Sequence, residues 1–277
     1  MKKIFLLAGL LFCILSIVFN KALYSAEAQD DSKVGGLLKS GFDNSREGKT
    51  DLAIKDFEKV IALYPKNSSA YLGLGHIYMQ RGNFDKAVEY FNKAISLDAN
   101  NSAAYAGLGN SYIRKGEIDK AIVHLEKAIS LNPQNSFAFT SLGGVYSRKG
   151  KLDKALEYTE KAYALDDKNS FICTRLGEIY AKKDDNGKAI EYFKKAIALD
   201  NKSPVAYFGL GSSYYSLGKK DEALKILATL KGINKDMAVH LERLIKGVKA
   251  QQTPGNPVNP KAAENKPAVK PAAKSAK

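Results

Sequence analysis

The chain has 277 residues, 45% of them hydrophobic and 26% charged, which is too long for a disulfide-stapled miniprotein and too apolar for a chain disordered throughout. Its formal net charge of +14 is unevenly spread, with +2 in residues 1–28, +8 in 29–249 and +4 in the last 28 residues. Two cysteines, three histidines and no tryptophan leave little material for a disulfide framework, a metal centre or acid–base chemistry.

Residues 1–28 read as a secretory signal peptide. Lys2 and Lys3 precede an apolar run of 16 residues from Ile4 to Phe19, and Ala26-Glu27-Ala28 supplies the small residues of a cleavage site. The run is shorter than the ~20 residues of a spanning helix, so cleavage after Ala28 is the expectation and an uncleaved anchor the alternative. Phe12 stands before Cys13, which argues against lipoprotein processing. The chain is therefore expected to be exported, to the periplasm or beyond, with no transmembrane segment once the signal is removed. Residues 29–33 form a short linker, and Cys173 then has no cysteine to pair with.

Residues 34–237 repeat with a period of 34: 34–67, 68–101, 102–135, 136–169, 170–203 and 204–237. Tyr71, Leu74, Gly75, Tyr78, Ala87, Phe91 and Ala94 recur one period later as Tyr105, Leu108, Gly109, Tyr112, Ala121, Leu125 and Ala128. The fourth unit keeps Phe139, Leu142, Gly143 and Tyr146, the fifth Cys173, Leu176, Gly177 and Tyr180, and the sixth Tyr207, Leu210, Gly211 and Tyr214. The first is degenerate, with Ser40 and Asn44 in place of the leucine and tyrosine. Positions 4, 7, 8 and 11 of each unit form one stripe of a helix, and positions 20, 24 and 27 form the facing stripe of a second. Each unit is thus a helical hairpin whose small residues, Gly at 8 and Ala at 20, allow close approach. Gly48, Gly82, Gly116, Gly150 and Gly218 suit a left-handed turn between the two helices, and Asp51, Asp85, Asp119, Asp153 and Asp221 are placed to cap and face the start of the second. The fifth unit has Asp184 and Gly187 at these positions, so an irregular or more mobile turn is expected there.

After the sixth unit, Met237, Leu241, Leu244 and Val248 recur at helical spacing and predict a solvating cap helix over 238–249. Residues 250–277 hold five prolines, seven alanines and five lysines, and read as a semi-extended tail.

The 34-residue pattern resembles the tetratricopeptide repeat (TPR) family. The resemblance implies an all-α fold: an α-solenoid, wound as a right-handed superhelix, of six helix-turn-helix units and a C-terminal capping helix. It also implies a concave groove lined by the first helix of each unit, whose inward positions here collect Phe42, His76, Asn110, Arg114, Phe137, Arg148, Phe171, Phe208 and Tyr215. The carboxylate clamp of chaperone-binding members is matched only at Asn110 and Arg175, two of its five positions, so a clamp is not expected. The position of Arg114 and Arg148 at helix ends is also explained by the helix dipole alone.

His76, His124 and His240 lie in no metal-ligand spacing, and Cys173 takes a core position where it should be buried and inert. No cofactor, no catalysis and no nucleic acid partner are expected. The expected function is a scaffold that binds a protein or peptide segment in the groove. The alternative is an envelope protein held to an anionic polymer or membrane surface by its basic tail.

Overall fold

The computed structural model describes residues 32–247; the proposed leader 1–28, the tail 250–277 and Val248 lie outside the described residues. Within these bounds the chain is built from helices joined by short turns. Helix α1 covers 32–46. It is followed by α2 Thr50–Leu63, α3 Ser68–Gln80, α4 Phe84–Leu97, α5 Ser102–Lys115, α6 Ile118–Leu131 and α7 Ser136–Arg148. Then come α8 Leu152–Leu165, α9 Ser170–Lys182, α10 Asn186–Leu199, α11 Pro204–Ser216, α12 Lys220–Ile233 and α13 Lys235–Ile245.

What spaces the hairpins is an interlock of aromatic rings and glycines. Phe57, Phe91 and Phe193, on the second helix of their hairpins, are buried almost completely. A Cβ built on Gly75 would stand 2.7 Å from the Phe91 ring, and one on Gly107, in the next hairpin, 2.5 Å. Gly41 and Gly73 enclose Phe57 in the same way, as Gly177 and Gly209 enclose Phe193. A mid-helix glycine costs about 1 kcal/mol relative to alanine. Deleting a buried phenylalanine costs about 3–5 kcal/mol, so the arrangement is favourable even with two glycines per ring. The first hairpin compensates its degeneracy differently. Ser40 and Asn44 both donate to Asp56, at 2.7 and 3.0 Å, where later hairpins stack aromatic rings. Those rings run Tyr78 on Tyr90, Tyr112 on His124, Tyr146 on Tyr158 and Tyr180 on Tyr192, with centroids 5.3–5.5 Å apart.

The odd-numbered helices α3, α5, α7, α9 and α11 touch in succession, whereas no two of the described even-numbered helices do. The stack therefore bends with its first helices on the inner side, which is the expected α-solenoid. Helices α3, α5, α7 and α9 are started by asparagine: Asn67, Asn101 and Asn135 each accept the N–H three residues on at 3.0 Å, and Asn169 accepts that of Phe171.

The aspartates of the second helices lie in the first turn, facing the helix start as expected, but do not cap it, because the cap position lies two residues before each of them, for example Asn83 before Asp85. Four of them also reach the next hairpin. Arg81 pairs with Asp51, Lys115 with Asp85 at 2.6 Å, Lys149 with Asp119 at 2.9 Å, and Lys183 with Asp153. These carboxylates are exposed, so the ladder defines register more than it adds stability. At the following junction both partners are replaced together, by Gly187 and Leu217.

The fifth turn also departs from expectation. Asp184 takes φ +61°, the left-handed conformation that glycines adopt in the other turns, and the Asp185 N–H reaches the Tyr180 carbonyl at 3.0 Å just as Glu117 reaches Tyr112 at 2.9 Å. The turn is regular, and Gly187 lies beyond it, in the first turn of α10 behind the Asp185 cap. The cap helix differs from its predicted bounds of 238–249. It starts at Lys235 behind the Asn234 side chain and buries Ala238, Leu241 and Ile245, while Leu244 is exposed. Leu241 fits both phases of the apolar stripe. Its insertion at Gly211, 2.6 Å from a Cβ there, fixes the phase that buries Ile245.

Left-handed backbone is unfavourable by about 1–2 kcal/mol for a residue with a Cβ. Asp184→Gly should therefore raise the unfolding free energy by up to about 1 kcal/mol, and Gly116→Ala should lower it by about as much, as read from urea or guanidinium titrations.

Candidate functional site

Along each inner helix, side chains spaced three and four residues apart point into the bend. Helix α5 contributes Asn110 and Arg114; α7, Phe137, Ser141, Gly144 and Arg148; α9, Phe171, Arg175, Glu178 and Lys182; and α11, Phe208, Ser212 and Ser216. They enclose two adjoining cavities. One, of about 260 Å³, lies between α5, α7 and α9 and takes in Asn110, Arg114, Phe137 and Phe171. The other, of about 610 Å³, lies between α7, α9 and α11 and takes in Lys182, Phe208, Ser212 and Ser213. Gly144, Arg148 and Arg175 border both.

Of the sequence-predicted residues, the structure thus brings Asn110, Arg114, Phe137, Arg148, Phe171, Arg175 and Phe208 together. Phe42 lies elsewhere, packed edge-on against Phe57 at 5.0 Å in the N-terminal core. His76 packs edge-on against Phe91 at 5.1 Å, and Tyr215 packs against the C-terminal core of α12 and α13. None of these three lines either cavity.

Arg175 is where the interlock relaxes. At the position it occupies, the second, third and sixth units carry Gly73, Gly107 and Gly209, each pressed against a phenylalanine of the preceding hairpin. Before Arg175 that phenylalanine is replaced by Thr159, fully buried and donating to the Ala155 carbonyl at 2.7 Å. The smaller side chain leaves room for an arginine on the inner face. Its Nη1 donates to Glu178 at 2.7 Å, and its guanidinium lies 5.2 Å from the Phe171 ring centroid. Its Nε is buried with no hydrogen-bond partner among the described residues.

The serines around it were missed by the sequence reading, although Ser212 stands at one of the inward positions. Ser212 and Ser213 bury their Oγ atoms without a hydrogen-bond partner among the described residues, Ser213 being 1% exposed. Lys182 donates to Ser147 at 3.0 Å and Asn110 to Ser141 at 2.8 Å. Arg114 is held over the Phe84 ring at 5.4 Å. Cys173 is buried in the core shared by α9, α10 and α11, and burial pushes its thiol up from the ordinary range. Among the described residues no cluster of histidine, cysteine and carboxylates could hold a metal ion, and no helix is long and apolar enough to cross a membrane.

Burial holds the His76 imidazole below its ordinary pKa of about 6.5. The unfolded chain then binds this proton more readily than the folded one. The associated stability is present above pH 6.5 and is lost as pH falls below it. The fall in melting temperature between pH 7 and pH 5 should accordingly be smaller in His76→Gln than in the parent chain.

Models described as tetratricopeptide repeat match residues 46–108, 80–143, 138–169 and 205–233, and one described as TPR repeat matches 177–218. No curated protein sequence matches the chain. Among solved structures it is similar to a chain of the APC/C hetero-tetramer Cut9-Hcn1, with a TM-score of 0.72, 21% identity and 76% of this chain covered. It spans only 42% of that chain. It is also similar to Pseudomonas aeruginosa pilF, with a TM-score of 0.67, 18% identity and 76% and 97% of the two chains covered. A third is YrrB, described as a TPR protein with an unusual peptide-binding site, with a TM-score of 0.52, 24% identity and 68% and 97% covered. Repeat models that follow one another along the helices, together with these solenoid neighbours, establish that the chain belongs to the tetratricopeptide repeat family.

Proposed function

We propose that the protein is a non-catalytic adaptor that holds a segment of another protein along its inner face. The observation that carries this reading is the pair Phe137 and Phe171, 46% and 56% exposed beside a cavity bordered by Arg175, whose Nε has no hydrogen-bond partner among the described residues. Large apolar side chains left facing water beside a concavity gain about 25 cal/mol for each Å² that a partner covers. The peptide-binding site named for YrrB is in keeping with this use of the fold. The basic, apolar and small-residue order of 1–28 supports a site of action outside the cytosol, in the periplasm or beyond.

The test is selection of binding peptides by the full chain from a randomised library. Selected peptides should lose roughly tenfold or more in affinity for Phe137→Ala/Phe171→Ala, with the melting temperature unchanged. Failure to select any peptide, or equal binding to the double variant, would overturn the reading.

A second contact is supported by the tail, whose five lysines oppose one glutamate in 250–277. If it holds the protein to an anionic envelope surface, co-sedimentation with anionic vesicles should fall on deleting 250–277 and fade as salt rises, while peptide selection stays unchanged.

A further inference from the structure

The α7–α9–α11 cavity adds Glu178, Lys182, Ser212 and Ser213 to the arginines it shares with the α5–α7–α9 cavity, and Arg175 stands between the two. Three features mark it as a place for a ligand group. The first is that Arg175 interrupts a rule of the repeat: glycine gives way to arginine only where the buried phenylalanine of the preceding hairpin gives way to Thr159. The second is a set of buried donors without partners among the described residues, Arg175 Nε, Ser212 Oγ and Ser213 Oγ, on a cavity of about 610 Å³. Unsatisfied buried donors are unfavourable, and an incoming acceptor removes that cost. The third is charge. The cavity is bordered by Arg148, Arg175 and Lys182 against Glu178 and Asp184, an excess of a single positive charge.

Resting on the groove reading, the geometry points to a specific occupant: an acidic side chain, Asp or Glu, of the bound segment enters the α7–α9–α11 cavity, with an apolar side chain of the same segment between Phe137 and Phe171. Glu178 engages only Nη1 of Arg175, so other edges of the guanidinium, Nε included, remain for a second carboxylate. The serine hydroxyls donate to its remaining lone pairs. A single positive excess matches one carboxylate and is insufficient for a dianionic phosphate. The chain's own tail is a poor match by its sign, since it carries +4 and would bring a like charge to the cavity.

The probe is a library of octapeptides randomised over Phe, Leu, Glu, Gln, Lys, Ser and phosphoserine, half of it acetylated and amidated, half with a free C-terminus. The full chain should enrich Glu over Gln beside Phe or Leu in both halves, and replacing that Glu by Gln should weaken binding about tenfold. Adding the Glu peptide, and not its Gln counterpart, should shift the Arg175 Nε–H resonance in nitrogen-15 spectra. Ser213→Ala should reduce the Glu preference. Arg175→Gly/Thr159→Phe, which restores the rule of the other hairpins, should abolish it and leave a folded chain that still binds through its aromatic side. Peptides selected without Glu enrichment leave the adaptor reading standing and overturn this inference, whereas no selection at all overturns both. Enrichment only among free C-termini assigns the carboxylate to a chain end, and preference for phosphoserine overturns the single-charge match. A wild-type dimer that Arg175→Gly/Thr159→Phe makes monomeric would name a second copy as the occupant and also overturn it.

Discussion

The contact on which the rest of the structure depends is a phenylalanine ring clasped between two glycines of successive hairpins. It fixes how closely one hairpin approaches the next, and it does so with an uncompressible object, because a ring in a close-packed interior cannot yield by even a methylene. The first helices meet across it while the second helices splay, so the bend of the solenoid and its inner face both follow from the position of that ring. The salt bridges along the turns, the asparagine caps and the stacked tyrosines all repeat with the same period and are kept in register by it.

The binding face arises where this contact is given up. With Leu125 and then Thr159 in place of phenylalanine, the following hairpins no longer need glycine, and Ser141 and Arg175 occupy the positions it leaves. Both side chains join the inner face, Ser141 as the acceptor for Asn110 and Arg175 as the wall between the two cavities. Structure and binding chemistry are thus alternatives at one position of the repeat.

Much of this was legible in the sequence. The period of 34, the two facing stripes and the small residues between them define the hairpins, because burial on a helix imposes its own spacing. Six of the nine inward residues come together for the same reason, and Arg175 joins them. Phe42, His76 and Tyr215 do not, since the cores around Phe57, around Phe91 and between α12 and α13 claim them. The role of Arg175 was hidden because it depends on a residue 16 positions earlier, in another helix, and only the packing shows that Thr159 and Arg175 share a space. The aspartates read as caps because their spacing from the turn glycine is nearly right, and two residues of offset send them to a different hairpin. Asp184 shows the converse, in that hydrogen bonds around a turn can hold a residue that composition alone marks as a misfit.

The junctions differ in what they allow to follow them. Between the early hairpins, a phenylalanine and an aspartate meet a glycine and a cation, so the hairpin of α3 and α4 could be lost by recombination and Phe57 and Asp51 would find Gly107 and Lys115 in its place. Later junctions are written in matched exceptions, Thr159 with Arg175 and Gly187 with Leu217: losing the α9–α10 hairpin would set Asp153 against Leu217, and joining the second hairpin to the fifth would set Phe91 against Arg175. The solenoid can therefore change length over generations at its N-terminal half, while the order of its C-terminal hairpins is fixed by mutual recognition.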